Sequence, residues 1–274
     1  MNVIRYSIIL LSLSLITTGC FYSDVKNNQN LEKDVESSSE VYSVEKEKMV
    51  KIEDKFKLPI LLFHHIGNDT AGLSDSAKTW YVSVEKFAEI LGKIEELGYK
   101  PIFLSEFLDY LEVGEMPEKS LVISFDDGTI DFYTDAWPIL KKYNFKSSVN
   151  LMTGVRGENY LDKEKILELD KTGLVEFQSH TVYHAYLTMV GEEELLGELQ
   201  KSKKYIEDLL NKKTEIIAYP FGLYNEAVSL KAKDLGYKLG LTIKSGVWQD
   251  KNNLMEMKRN IITENTEIIK ILDL

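Results

Sequence analysis

Leu121-Val122-Ile123-Ser124-Phe125-Asp126-Asp127-Gly128 is the stretch on which the reading of this chain turns. Leu121-Val122-Ile123 is a short apolar, β-branched run of the kind that forms a buried strand, and the run ends on two carboxylates and a glycine. Successive strand residues face opposite ways, so the two acids converge only if the chain turns there, which Gly128 permits. Further on, His180-Thr181-Val182-Tyr183-His184 sets two imidazoles four residues apart. One carboxylate and both histidines supply three ligands for a divalent cation and leave a position open for water. The other carboxylate is then free to act as a base on that water. This is the outline of a metal-dependent hydrolase.

Strands and helices alternate on both sides of the motif. Leu58 to Phe63 reads as a strand ending at His64-His65, and Ser83 caps a helix that closes at Gly98. Pro101 to Leu104 reads as a strand, with Ser105 capping a helix through Leu111. Asp131 to Tyr143 reads as a helix that Pro138 kinks or whose start it displaces. Strands are expected over Ser148–Met152, Val175–Gln178, Ile216–Tyr219 and Leu239–Ile243, separated by helices over Asp162–Asp170, Glu192–Leu210 and Asn225–Leu235. The alternation implies an α/β fold: a (β/α) barrel, distorted or incomplete, of seven or so parallel strands with outer helices. Sites in such barrels lie at the carboxyl ends of strands. His64-His65, Asp126-Asp127, His180 and Pro220-Phe221 each follow an expected strand, so the candidate chemistry falls on one rim.

The formal net charge of −11 argues against a nucleic-acid partner. The single cysteine, Cys20, precludes an internal disulfide. Arg5 precedes an apolar run, Tyr6 to Ile16, too short to span a bilayer comfortably, and Thr17-Thr18-Gly19-Cys20 follows. Residues 1–20 resemble a bacterial lipoprotein signal in which Cys20 becomes a lipidated first residue, although Thr17 stands where an aliphatic residue is usual. The expectation is export and anchoring at the cell membrane through a lipid, facing the cell wall or periplasm, or secretion if the lipid signal is not used. Residues 21–57 are polar and read as a disordered tether with at most a transient helix over Lys46–Lys57, and 58–274 as the catalytic domain.

On these motifs the chain resembles the polysaccharide deacetylases of carbohydrate esterase family 4, the chitooligosaccharide-deacetylase homology domain. Ser124-Phe125-Asp126-Asp127-Gly128 matches that family's first motif, with serine where threonine is commoner. His180-Thr181-Val182-Tyr183-His184 matches the second, and Ala218-Tyr219-Pro220-Phe221-Gly222 resembles the third. The segment Pro59–Ile66 and the Tyr219-Pro220-Phe221-Gly222 form resemble the branch with poly-N-acetylglucosamine deacetylases. The resemblance implies that Asp127, His180 and His184 bind the metal, zinc first, with Co2+, Ni2+ or Fe2+ as alternatives. It implies that Asp126 is the base and that a backbone N–H near Phe221 helps hold the oxyanion. The substrate it implies is an N-acetylated polysaccharide or oligosaccharide: poly-N-acetylglucosamine, peptidoglycan or a chitin-like polymer.

Two departures stand out. The third motif commonly begins with an arginine that orients the base; here it is Ala218, and Arg259 is the candidate substitute. The family's late Leu-x-His is here Leu241-Thr242-Ile243, so the general acid must come from His64 or His65, of which only one should enter the site. His65, closer to the loop, is favoured. Trp80, Tyr81, Tyr183, Tyr219, Phe221, Tyr224 and Trp248 are candidate sugar platforms, Phe221 and Trp248 foremost. An O-acetyl polysaccharide esterase is the nearest rival, because an alkoxide leaving group needs a general acid less. A non-catalytic glycan-binding lipoprotein is the rival from another class, disfavoured because base and ligands are all present. A two-histidine, one-carboxylate iron oxygenase finds no cosubstrate site.

Overall fold

Parallel strands covered on both sides have no polar face, and that is the pattern of the central sheet: Ile60–Phe63 (β1) and Ser120–Phe125 (β2) are buried at every position. The computed structural model describes residues 48–273. The expected signal with Cys20 and most of the expected tether lie outside the described residues. The sheet continues with Ser147–Leu151 (β3), Val175–Ser179 (β4), Ile216–Ala218 (β5), Leu239–Leu241 (β6) and Asn260–Ile261 (β7), in the order β6-β5-β4-β3-β2-β1-β7. Every neighbouring pair is parallel. The helices Val84–Glu96 (α1), Leu104–Val113 (α2), Trp137–Tyr143 (α3), Lys163–Lys171 (α4), Glu192–Leu210 (α5) and Glu226–Asp234 (α6) alternate with these strands. The result is the expected distorted, incomplete (β/α) barrel.

Alternation along each strand sorts the side chains. Leu61, Phe63, Leu121, Ile123, Phe125, Val149, Leu151, Val175 and Phe177 share the cluster that holds the inner faces of α1, α3 and α4. Ile60, Val122, Ile216, Ala218, Leu239 and Leu241 form a second cluster, the barrel interior. The stretch from Met257 to Asn260 crosses the seam between β6 and β7. Met257 bridges Leu241 in parallel, with Met257 N donating to Gly240 O at 2.8 Å, and three residues later Asn260 pairs with Leu61.

The amino-terminal end of the barrel departs from expectation in two ways. Leu104 starts α2 instead of ending a strand, because Glu176 of β4 accepts from Leu104 N at 2.8 Å and Ser105 N at 3.4 Å and so caps the helix from across the barrel. Leu104, Phe107 and Leu108 of α2 then plug the interior. The end of the expected tether is also ordered. Met49–Lys51 pairs antiparallel with Glu115–Pro117, and Lys55–Lys57 with Trp248–Asp250. Ile52 and Phe56 are buried, the Phe56 ring lying 5.3 Å from that of Phe107. The domain therefore starts at or before Lys48, not at Leu58. Pro138 both displaces and kinks: a wide π-type turn over Phe132–Ala136 precedes α3, with the proline in the first turn of the helix.

Phe56→Ala should cost about 3–5 kcal/mol of stability, as a core aromatic truncation does, whereas Val113→Ala, on a residue 74 % exposed, should cost next to nothing. Urea unfolding of the two variants checks this, and equal midpoints would return residues 48–57 to the tether.

Candidate active site

Inward parity carries Val122, Ser124 and Asp126 along one line, so Asp126 arrives at the carboxyl end of β2 pointing into the barrel, 3 % exposed. Asp127 would face outward if the strand went on. It does not: Asp127 and Gly128 both take left-handed φ of 72°, and a Cβ on Gly128 would meet Leu151 Cδ2 at 2.6 Å. The turn swings the second carboxylate onto the same rim. His180 follows β4 with the inward parity of Glu176 and Gln178. Thr181 and His184 are left-handed at φ 67° and 59°, which curls the loop so that both imidazoles face Asp127. Glu198 of α5 anchors that loop, its Oε2 accepting from Val182 N at 2.8 Å and Tyr183 N at 2.9 Å.

Asp127, His180 and His184 are brought together. Their potential ligand atoms lie within 4.8 Å of one another, with His180 Nε2 at 3.4 Å and His184 Nε2 at 3.8 Å from Asp127 Oδ1. Asp127 Oδ1 is buried without a hydrogen-bond partner among the described residues. His180 Nδ1 donates to Ala218 O at 2.7 Å, which leaves the Nε2 lone pair turned to the cluster. An orphaned carboxylate oxygen beside two such imidazoles fits a divalent cation. Burial, with the neighbouring His180, holds the His184 imidazole below its usual range, against the pull of Asp127.

Arg259 comes from the seam. It is fully buried, its Nε donates to Thr242 O at 2.8 Å, and its two terminal nitrogens reach Asp126 Oδ1 and Oδ2 at 2.8 Å each. Burial alone would push the Asp126 carboxyl up; the Arg259 guanidinium, followed by His180, holds it well below the carboxylate range. It is therefore ionised at any physiological pH. Asn150 Nδ2 adds a third donor to Oδ1, at 2.7 Å.

The two candidate acids separate by parity. His64 shares the inward parity of Ile60 and lies in the fields of Asp126, Asp127, Arg259 and His180. His65 shares the outward parity of Leu61 and Phe63; its Nδ1 meets Asp131 Oδ2 at 2.7 Å and its ring stacks on Tyr81 at 4.4 Å. Strand alternation turns His64 to the acids, so the geometry favours His64 over the expected His65, although both border the same cavity. Burial lowers the His64 imidazole from 6.5 to about 4, against the opposing pull of Asp126 and Asp127.

Above these groups lies a cavity of about 470 Å3, bordered by Leu73, Ala77, Trp80, Tyr81, Phe221, Gly222 and Ile243 as well as the histidines and the acid pair. Trp80 lies against His64, ring centres 4.4 Å apart. Phe221, left-handed at φ 58°, is sandwiched between His184 at 4.4 Å and Tyr186 at 3.9 Å. Pro220 is buried in the turn beneath it, and Gly222 lies so close to Ile243 that a Cβ would meet Cγ1 at 2.5 Å. Tyr219 borders the cavity, but its ring is fully buried and stacks on Tyr224, so it packs rather than forming an open platform. Trp248 is corrected: its strand pairs with Lys55–Lys57, which leads into the amino end of β1, and the cavity sits at the opposite end. Asn150, Asp131, Tyr186 and Glu198 were not anticipated. Only Asn150 carried a signal, a polar residue within an expected buried strand.

Comparison with known proteins follows this geometry. The sequence profile described as polysaccharide deacetylase matches residues 113–240. A poly-beta-1,6-N-acetyl-D-glucosamine N-deacetylase of Staphylococcus aureus is 30% identical over 206 residues, 70% of this chain and 71% of the relative. The solved structure of the Streptococcus pyogenes deacetylase PplD in complex with acetate aligns with TM-score 0.74 and 32% identity, covering 79% of this chain and 98% of that one. A polysaccharide deacetylase from Bacillus cereus aligns with TM-score 0.71 and 26% identity, covering 81% of this chain and 70% of that one.

Two outcomes are expected. Arg259→Ala leaves a buried carboxylate unpaired and should cost about 3–5 kcal/mol, part of which Asp126→Asn in the same chain recovers; urea titration of the single and double variants checks it. Between its unfolded value of 6.5 and its folded value of about 4, His64 binds protons more readily in the unfolded chain. Stability of the metal-free protein should thus fall as pH drops through that window, His64 contributing at most about 3 kcal/mol. His64→Asn should flatten that slope, read as the urea midpoint at about pH 7 and about pH 4.5.

Proposed function

The chain belongs to the polysaccharide deacetylase family and is a deacetylase hydrolase, and from that premise we propose that it removes N-acetyl groups from amino sugars of a cell-surface polysaccharide, poly-β-1,6-N-acetylglucosamine foremost, with the help of a divalent cation. The observation that carries the reading is an ionised carboxylate, locked by Arg259, directly beside a three-residue ligand set at the floor of an aromatic-walled cavity. The Staphylococcus aureus relative, named for poly-β-1,6-N-acetylglucosamine, supports the choice of polymer.

In this reading Asp127, His180 and His184 hold the cation, zinc first. When bound, it supplies Lewis-acid polarisation of the acetyl carbonyl and a more acidic water. Asp126 takes a proton from the attacking water, and Arg259 keeps it charged and aimed. The Phe221 N–H, on the cavity wall, is the donor for the developing oxyanion. His64 is neutral at pH 7, and a neutral imidazole relays protons rather than storing them. The proton taken by Asp126 reaches the departing amine through His64, giving a free amine and acetate. Trp80 and the Phe221–Tyr186 stack offer faces for the C–H groups of the sugar ring. Export and lipid anchoring at Cys20 belong to the same proposal, since such a polymer lies outside the cell.

One observation favours a second reading. Ile243, not histidine, borders the cavity where the family's late motif falls, which removes an imidazole from the leaving-group side. That loss matters least for O-acetyl esters.

Purified protein should release acetate from β-1,6-linked N-acetylglucosamine oligomers. Release should stop with a chelator and return with zinc or cobalt. Asp126→Asn should lower kcat by about a hundredfold or more, and His64→Ala should cost more than His65→Ala. Release indifferent to chelator would remove the metal from the mechanism, and cleavage of acetylated xylan with silence on the oligomers would favour the esterase.

A further inference from the structure

The interior wall beneath the site is polar along two neighbouring strands. Val149 and Leu151 of β3 and Val175 and Phe177 of β4 take the helix-facing places, so Ser148, Asn150, Glu176 and Gln178 point into the barrel. Asn150 is fully buried. An amide there gives up its hydration, and its Oδ1 finds no hydrogen-bond partner among the described residues. An aliphatic residue would serve stability better. The one side-chain hydrogen bond that Asn150 makes among the described residues is to Asp126, from Nδ2 to Oδ1 at 2.7 Å.

That contact makes the two oxygens of Asp126 unequal. Oδ1 accepts from an Arg259 terminal nitrogen at 2.8 Å and from Asn150 at 2.7 Å. Among the described residues Oδ2 accepts only from the other Arg259 nitrogen, at 2.8 Å, and it is the oxygen nearer the ligand cluster, 3.9 Å from His180 Nε2. Arg259 alone, bidentate and nearly symmetric, would leave the choice between them open. Asn150 closes it.

Resting on the reading of Asp126 as base, we propose that Asn150 is a positioning residue for hydrolysis: with Arg259 it occupies Asp126 Oδ1 and commits Oδ2 to the attacking water. In the step, a water O–H bond breaks and an O–H bond forms at Oδ2. The resulting carboxyl keeps Oδ1 as the carbonyl-like acceptor for both donors. A proton on Oδ1 would instead break one of those two contacts. Asn150 does not line the cavity, and among the described residues its side chain bonds to Asp126 rather than to Asp127, His180 or His184, so its effect should appear in kcat and leave KM alone.

The test uses the zinc-loaded full chain with Asn150→Leu, which removes the donor, and Asn150→Asp, which keeps the shape but sets an acceptor against an acceptor. Both are assayed on a β-1,6-linked N-acetylglucosamine pentamer and on an aryl acetate, with zinc content and Tm measured alongside. The expected result is a kcat about ten- to a hundredfold lower in the leucine variant and lower still in the aspartate variant, with KM within about twofold and zinc content unchanged. The aspartate variant carries the test if the leucine variant does not fold. A wild-type protein silent on the pentamer but active on the aryl acetate would overturn the polysaccharide reading. The ester, which needs the same base and water, would then decide the role of Asn150. Wild-type kcat in either folded variant, or a loss confined to KM, would overturn the positioning role, and silence on both substrates would overturn both proposals.

Discussion

The ion pair between Asp126 and Arg259 is the contact around which the top of this barrel is arranged. Neither partner meets solvent to any extent, and each would be costly to bury alone. Their mutual position has consequences at two scales. Locally, the guanidinium keeps a carboxylate charged where burial would neutralise it. Globally, Arg259 lies on a stretch that joins β6 to β1, between the Met257 bridge and the first residue of β7. The chemistry of the rim and the closure of the sheet therefore depend on the same residue. Loosening the seam would release the base, and removing the base would leave a buried cation with no counter-charge.

Strain is concentrated at the same rim. Of the non-glycine residues with left-handed backbone, Asn144 and Asn211 end helices α3 and α5, a routine place for asparagine. Asp127, Thr181, His184 and Phe221 are the others, and all four border or belong to the ligand cluster. A regular strand end delivers every second side chain inward. Bringing Asp126, Asp127, His180, His184 and Phe221 to one rim needs more than that parity supplies, and positive φ provides the extra turns. Neighbouring side chains hold these turns in place: the buried Leu151 beneath Gly128 and Glu198 beneath Val182 and Tyr183, and the more exposed Ile243 against Gly222.

What could be read from the sequence follows from which forces are local. The strands and helices of the barrel, and the rim on which the acids and histidines meet, come from apolar periodicity and were legible. Arg259 was reachable too, once Ala218 left a base without its usual partner. The choice between His64 and His65 was also present, in the parity that makes Ile60 an interior residue and Leu61 a helix-facing one, but nearness to a loop was given more weight. Other features depend on distant partners. Leu104 begins a helix because Glu176, 72 residues on, caps it. Lys55-Phe56-Lys57 is too short and too charged to look like a strand, and becomes one only against Trp248–Asp250. The same pairing carries Trp248 to the far end of the barrel from the cavity.

The charge balance of the site is set by an arginine supplied from the seam rather than from the strand end at Ala218. Asp126 and Arg259 pair with each other, so the carboxylate left to face a cation is that of Asp127, beside the two histidines. A divalent cation held there leaves about one net positive charge facing the cavity, the sign that a developing oxyanion requires. An unpaired Asp126 would cancel that surplus, and an arginine set free beside the imidazoles would compete with the cation. Pairing the base with a buried guanidinium from any direction satisfies both conditions, provided that the guanidinium stays on the side of the carboxylate away from the water. Arg259 approaches from the seam and Asn150 from the barrel wall, and together they leave the cavity side to Oδ2.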